Sequence, residues 1–231
     1  MKTVGIIGGI GPESTIDYYR SILATYRERT GSDSAPSIVI NSVDLQKLVG
    51  LFEANELNQA TEYLGAEVQR LARAGADFGV LSANTPHLVF DEVQRRSPIP
   101  LISIVEATCA AAKDMGLRKV GLLGTRFTMQ ARFFPDVFAR AGVALVVPEP
   151  EEHNEIHEIY MGELVKGIFR PEARERLLAI ADGLRERHAI QGLILGGTEL
   201  PLILRESSYH GIPFLDTTKI HVNSIVARLL A

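Results

Sequence analysis

Three short stretches of this 231-residue chain occur twice. Val4-Gly5-Ile6-Ile7-Gly8 returns as Val120-Gly121-Leu122-Leu123-Gly124. Gly79-Val80-Leu81-Ser82-Ala83-Asn84-Thr85 returns more loosely as Leu193-Ile194-Leu195-Gly196-Gly197-Thr198-Glu199, and Ile99-Pro100-Leu101-Ile102 as Ile212-Pro213-Phe214-Leu215. The offsets are 116, 114 and 113 residues, so one repeat unit accounts for all three. Such a unit is close to the usual size of a domain. Each repeated stretch begins as a short apolar run, the pattern of a buried strand in a parallel sheet.

Strand-like runs lie near 3–8, 36–41, 77–82, 99–103, 119–123, 144–147, 192–195 and 212–215. Helical patterns separate most of them. Residues 13–29 carry Ile16, Tyr19, Ile22, Leu23 and Tyr26 near helical spacing. Residues 56–74 follow Asn55, a candidate N-cap. Residues 171–187 open on Pro171, suited to a first turn. The alternation predicts an α/β protein made of two similar Rossmann-like halves with pseudo-twofold symmetry and mainly parallel sheets. Ligands of open α/β sheets bind at the carboxyl ends of the strands. The expected site is therefore an inter-domain cleft, with the turns at Ala83 and Gly197 facing one another across it. Because 212–215 matches 99–102, the last strand and helix are expected to pack back on the first half. That gives a first domain of 1–98 plus 209–231 and a second of 99–208.

Apolar residues make up 46% of the chain and charged residues 23%, ordinary values for a globular protein. The net charge of −4 gives no electrostatic reason to expect nucleic acid, and the basic residues form no stripe. Cys109 is the only cysteine, which removes internal disulfides and cysteine-rich metal sites. The chain enters a strand by Thr3 without the pattern of a signal peptide, and no apolar run reaches membrane-spanning length. A cytoplasmic protein without a membrane partner is the expectation.

The glycine turns carry the chemistry. Gly8-Gly9-Ile10-Gly11-Pro12-Glu13-Ser14-Thr15 runs from strand to helix, where Gly9, Ile10 and Gly11 can offer backbone N–H groups to an anion. Dinucleotide binding fits poorly. Ser14 stands where the third glycine belongs, and the acidic Asp44 lies 33 residues beyond Gly11, well past the ribose-binding spacing. Ser82-Ala83-Asn84-Thr85-Pro86-His87 follows a buried strand, so Asn84 and Thr85 can hydrogen-bond a carboxylate. His87 would sit in the next helix's first turn, whose dipole disfavours its cation. It is a candidate catalytic group or a structural histidine. In Gly196-Gly197-Thr198-Glu199, Thr198 is a candidate ligand and Glu199 a base or a helix cap. Thr125 and Thr128 are further candidate carboxylate ligands. His153 and His157 have helical metal-ligand spacing without a supporting motif, and no metal is expected.

Together these motifs resemble the aspartate/glutamate racemase family of cofactor-independent amino-acid racemases, over nearly the whole chain. Gly8–Thr15 is similar to that family's first loop, Asn84-Thr85-Pro86-His87 to its C-N-T-x-H motif, and Leu195-Gly196-Gly197-Thr198-Glu199 to its G-C-T-E motif. Leu123-Gly124-Thr125-Arg126-Phe127-Thr128-Met129 also fits, especially the broad-specificity bacterial branch. The resemblance implies inversion at Cα without pyridoxal phosphate or any other cofactor: one cysteine thiolate removes the proton and a second thiol delivers one on the opposite face. It implies a small amino acid or dicarboxylate as ligand and a homodimer as assembly. Lys166 resembles a lysine that holds the substrate's side-chain carboxylate in some members, and is otherwise a solvated helix-end lysine.

The matching thiol positions in this sequence are Ala83 and Gly197. Neither carries a titratable atom, so neither serves acid–base catalysis. Cys109 lies within a helical segment, Glu106–Ala111, and reads as a small buried hydrophobe. Racemase or isomerase is the class label the resemblance implies. Three readings stay open: a divergent member acting as a lyase, hydrolase or one-base isomerase through Ser82, His87, Glu199 or Asp44; a protein that binds amino acids without reacting; and an engineered inactive form.

Overall fold

The computed structural model describes residues 2–231. Its first part runs β1 (Thr3–Gly8), α1 (Pro12–Thr30), β2 (Ser37–Ser42), α2 (Leu45–Glu53), α3 (Leu57–Arg73), β3 (Phe78–Leu81), a 3-10 turn at Thr85–Val89, α4 (Phe90–Arg96) and β4 (Leu101–Ile102). The rest runs α5 (Ile104–Asp114), β5 (Lys119–Gly124), α6 (Arg126–Gln130), α7 (Phe133–Arg140), β6 (Ala144–Val146), α8 (Pro150–Gly162), a 3-10 turn at Leu164–Lys166, α9 (Pro171–His188), β7 (Gly192–Gly196), α10 (Leu200–Ile203), β8 (Ser208–Tyr209), β9 (Ile212–Asp216) and α11 (Thr217–Leu230).

Two sheets form, ordered β2-β1-β3-β4 and β6-β5-β7-β9-β8. All pairings are parallel except that of the two-residue β8 with β9. The repeat extends to register. Gly5 lies opposite Gly79, and its counterpart Gly121 lies opposite Leu193, the counterpart of Gly79. Likewise Gly79 pairs with Leu101 and Leu193 with Phe214. A one-residue slip would turn every side chain to the other face of its sheet. Matched register therefore means matched burial in the two halves.

The chain divides into two compact units: one holds the chain through Ile104 together with His221–Ala231, the other Val105–Ile220. The expected return of the last strand to the first half does not occur. Ile212–Asp216 pairs with Gly192–Gly196 in the second sheet, and Leu101–Ile102 pairs with β3 in the first. Each sheet keeps its own fourth strand because a strand joined to its neighbour by a short crossover pairs beside it. The helices after those strands are what change unit. From His221 onward, α11 lays Val222, Ile225, Val226 and Leu229 into the first unit's core, against Val4, Ile6, Tyr18, Ile22 and Phe78. His221 fixes that docking: its Nδ1 meets the Tyr18 hydroxyl at 2.8 Å and its Nε2 the Ile102 carbonyl at 3.0 Å.

Two local expectations differ from the structure. In α1 the buried stripe is Ser14, Tyr18, Ile22 and Tyr26, a clean i, i+4 row, while Ile16 and Tyr19 are exposed. Helix α3 is capped at Glu56, and Asn55 instead takes a left-handed conformation with φ of 56° in the turn from α2. Among the described residues, no helix is long and apolar enough to cross a membrane.

Candidate active-site turns

In the first unit three adjacent strands deliver their following loops to one end of the sheet. Gly9–Gly11 follows β1, Asp44 follows β2, and Ser82–Thr85 follows β3. The glycine loop is held by its backbone: Gly9 has φ of 79°, and a Cβ there would stand 2.4 Å from the Val43 carbonyl oxygen. Only glycine fits such a position without moving the chain. The Gly9 N–H donates to Thr15 Oγ1 at 2.8 Å, and Gly11 precedes α1 at φ of 82°. Ile10 between them is buried. The loop is tied to the next turn by Ser14, whose hydroxyl donates to the Ser82 carbonyl at 3.0 Å.

The candidate reactive groups in this unit are already engaged. Ser82 is fully buried, and its hydroxyl donates to the Ile7 carbonyl at 2.9 Å. His87 stands in the 3-10 turn, stacked on Phe90 with ring centroids 4.7 Å apart. Its Nδ1 lies 3.1 Å from the Ala83 carbonyl, and its Nε2 accepts the Ile104 N–H at 3.2 Å. The pair of contacts requires the Nδ1–H tautomer. Burial lowers its pKa to about 3, helped by the nearby His221; the carbonyls it meets oppose the shift without offsetting it. The ring is therefore neutral at pH 7, for a different reason from the expected helix dipole. Asp44 is exposed and caps α2, accepting the N–H of Gln46 at 2.9 Å and of Lys47 at 3.4 Å. Ala83 and Asn84 are buried and Thr85 is half-buried, on the same turn.

The second unit repeats the plan with different contents. Thr125 and Thr128 follow β5, and Gly197–Glu199 follows β7. Thr125 is the N-cap of α6. Its Oγ1 accepts the Thr128 N–H at 3.2 Å and meets the Thr128 hydroxyl at 3.1 Å. Glu199 does not cap α10 with its side chain. Its carboxylate instead accepts the Tyr160 hydroxyl, and the Thr198 hydroxyl at 3.1 Å. The Glu199 N–H donates back to the Tyr160 oxygen at 3.4 Å. Burial, then the adjacent carboxylate, holds the Tyr160 phenol well above its ordinary range, so it stays protonated. Lys166 is exposed, at the end of its 3-10 turn. Cys109 is buried in α5 with Sγ 3.9 Å from the Val137 carbonyl, and burial raises its pKa. In α8, His157 Nδ1 accepts the Arg126 N–H at 3.3 Å. Among the described residues, no group of three or more His, Cys, Asp or Glu could hold a metal ion.

Sequence reasoning missed Tyr160 and His221. Tyr160 is 39 residues from its partner Glu199, and His221 is 203 from Tyr18. No spacing rule reaches across such distances. The one available signal was buried polarity without a local partner, which becomes visible only once the helices are placed.

The family model described as Asp/Glu/Hydantoin racemase matches residues 7–225. The broad specificity amino-acid racemase RacX of Bacillus subtilis (strain 168) is 24% identical, over 99% of this chain and 98% of its own. The crystal structure of an aspartate racemase homologue from Pyrococcus horikoshii OT3 superposes with a TM-score of 0.83 at 35% identity, covering 100% of both chains. That of a candidate Asp/Glu racemase from Yersinia pestis superposes with a TM-score of 0.88 at 31% identity, also over 100% of both.

Proposed function

Since this chain belongs to the Asp/Glu/Hydantoin racemase family, we propose that it binds a small amino acid or dicarboxylate, without pyridoxal phosphate, and lacks the two-thiol proton relay. The observation that carries the second part is simple. One chain holds one cysteine, and Cys109 is buried in α5 rather than on either candidate turn. Ala83 and Gly197 stand where the resemblance puts the two thiols, and neither side chain can accept or deliver a proton.

Binding has support on its own. The Gly9–Gly11 loop leads into a 19-residue helix, whose N-terminus favours a carboxylate. Asn84 and Thr85 are the other candidate contacts in the first unit. Thr198, Thr125 and Thr128 are those in the second, with the exposed Lys166 as the cation for a side-chain carboxylate. The lyase or hydrolase reading gains nothing from the geometry. The Ser82 hydroxyl donates its hydrogen bond to a backbone carbonyl, His87 has both nitrogens on the backbone, and Glu199 is locked to Tyr160. We take His87 and Ser82 as positioning residues for the turn after β3. A homodimer in the cytoplasm is the assembly and location that go with this reading.

A thermal-shift series with D- and L-amino acids and with dicarboxylates tests it. Binding at a hundredfold excess over Kd adds about 2.7 kcal/mol of stability. The reading predicts a raised midpoint with aspartate, glutamate or a close relative. No shift with any small amino acid or dicarboxylate at millimolar concentration contradicts it.

A further inference from the structure

We propose that Tyr160 takes the space a side chain at position 197 would need, so that the turn after β7 holds either the Tyr160–Glu199 pair or a side chain at 197, and not both. This deepens the proposed function, resting on its assignment of Gly197 to a thiol position.

A Cβ built on Gly197 would lie 2.3 Å from Tyr160 Cε2, and 2.9 Å from both Cζ and Oη. Carbon atoms do not approach to 2.3 Å without bonding, so ring or backbone must move. A ring end on a free side chain would swing aside at small cost. Tyr160 is not free. Its hydroxyl donates to the Glu199 carboxylate and accepts the Glu199 N–H, so Oη is held at both its donor and its acceptor side. Its ring packs in the second unit's core with Ile156, Ile159, Leu195 and Leu200. Tyr160 and Glu199 are 5% and 1% exposed. Displacing the ring would strip a buried carboxylate of a donor, which costs more than a surface rearrangement.

The consequence is that the missing group at 197 cannot be regained by one substitution. Gly197→Cys alone drives Sγ and Cβ into the ring. Tyr160 is therefore a specificity-determining residue: it sets what the second turn can carry. It offers no base in exchange, because its raised pKa keeps the phenol protonated.

A double-mutant cycle in the full chain tests this. Tyr160→Leu deletes Cε2, Cζ and Oη while keeping an apolar filler; Tyr160→Phe keeps the ring carbons and deletes only Oη. Gly197→Ala should lower the unfolding midpoint by about 3–8 °C in the parent, and by less in Tyr160→Phe, whose ring is held by packing alone. In Tyr160→Leu the same change should be close to neutral. In parallel, the thiol of Gly197→Cys should react with a disulfide reagent at least tenfold faster when Tyr160 is Leu than when it is Tyr, with Cys109→Ala in both backgrounds. Equal losses in all three backgrounds, or equal thiol reactivity, overturn the inference. Amino-acid binding is read separately on the parent. Its absence beside an intact Tyr160–197 coupling defeats only the ligand assignment, whereas an additive cycle beside clear binding defeats only the role of Tyr160.

Discussion

The Nε2 atom of His87 accepts the backbone N–H of Ile104 across 3.2 Å, joining the turn after β3 to the first residue of α5. The other nitrogen of the same ring meets the Ala83 carbonyl at 3.1 Å. A buried neutral imidazole that satisfies two backbone groups is a brace. His87→Ala should destabilise the fold by about 2–4 kcal/mol, because it opens a cavity and leaves a buried N–H and a buried carbonyl without this partner. Urea unfolding measures it. A loss below about 0.5 kcal/mol would show that the brace carries little load and would return His87 to the list of reactive candidates.

Two buried histidines make the protein sensitive to acid. Folding lowers the pKa of His87 to about 3 and of His221 to about 4, from an ordinary value of 6.5. Burial is the first cause for both. For such groups the unfolded chain binds protons first. The stability they contribute is complete above pH 6.5 and drains away as pH falls toward 3. Linkage gives a loss on the order of 2 kcal/mol per histidine by pH 5. The urea midpoint should fall between pH 7 and pH 5 in the parent and fall distinctly less in His221→Gln. A midpoint that is flat over this range contradicts the neutral, buried assignment of both rings.

How much of this was legible in the sequence follows from the range of the signals. The repeat predicts the strands near 3–8, 77–82, 119–123 and 192–195, and the structure places strands at Thr3–Gly8, Phe78–Leu81, Lys119–Gly124 and Gly192–Gly196. A run of buried apolar residues bounded by glycine is a local signal. The partner of the last strand was not legible. The similarity of 212–215 to 99–102 says that the two are equivalent, not which sheet each joins. The antiparallel β8 has two residues, too few for any period to be read. Within the site, the turns announced themselves through their glycines, but the commitments of Ser82, His87 and Glu199 depend on Ile7, Ile104 and Tyr160. Those partners lie on other elements, and a one-dimensional pattern carries no trace of them.

Asp44 offers a contrast between a binding residue and a structural one. Its carboxylate caps α2 through the N–H groups of Gln46 and Lys47, and its own N–H donates to the Tyr63 hydroxyl at 3.2 Å. Replacing an aspartate N-cap by alanine costs about 1 kcal/mol. Asp44→Ala should lower stability by about that amount and leave ligand-induced thermal shifts unchanged. A variant of parental stability that no longer responds to any amino acid would make Asp44 a ligand contact instead.

Exchange at Cα tests the central claim, that this chain keeps the amino-acid racemase fold while lacking the thiols that would move the proton. The measurement is solvent deuterium entering Cα of D- and L-aspartate and D- and L-glutamate in heavy water, followed by proton NMR with the parent chain. Bound ligand without exchange above the no-protein rate is the predicted result. Rapid exchange by the parent, removed by Glu199→Gln or His87→Gln, would contradict it, and would mean that a group engaged with Tyr160 or with the backbone is released to act as a base.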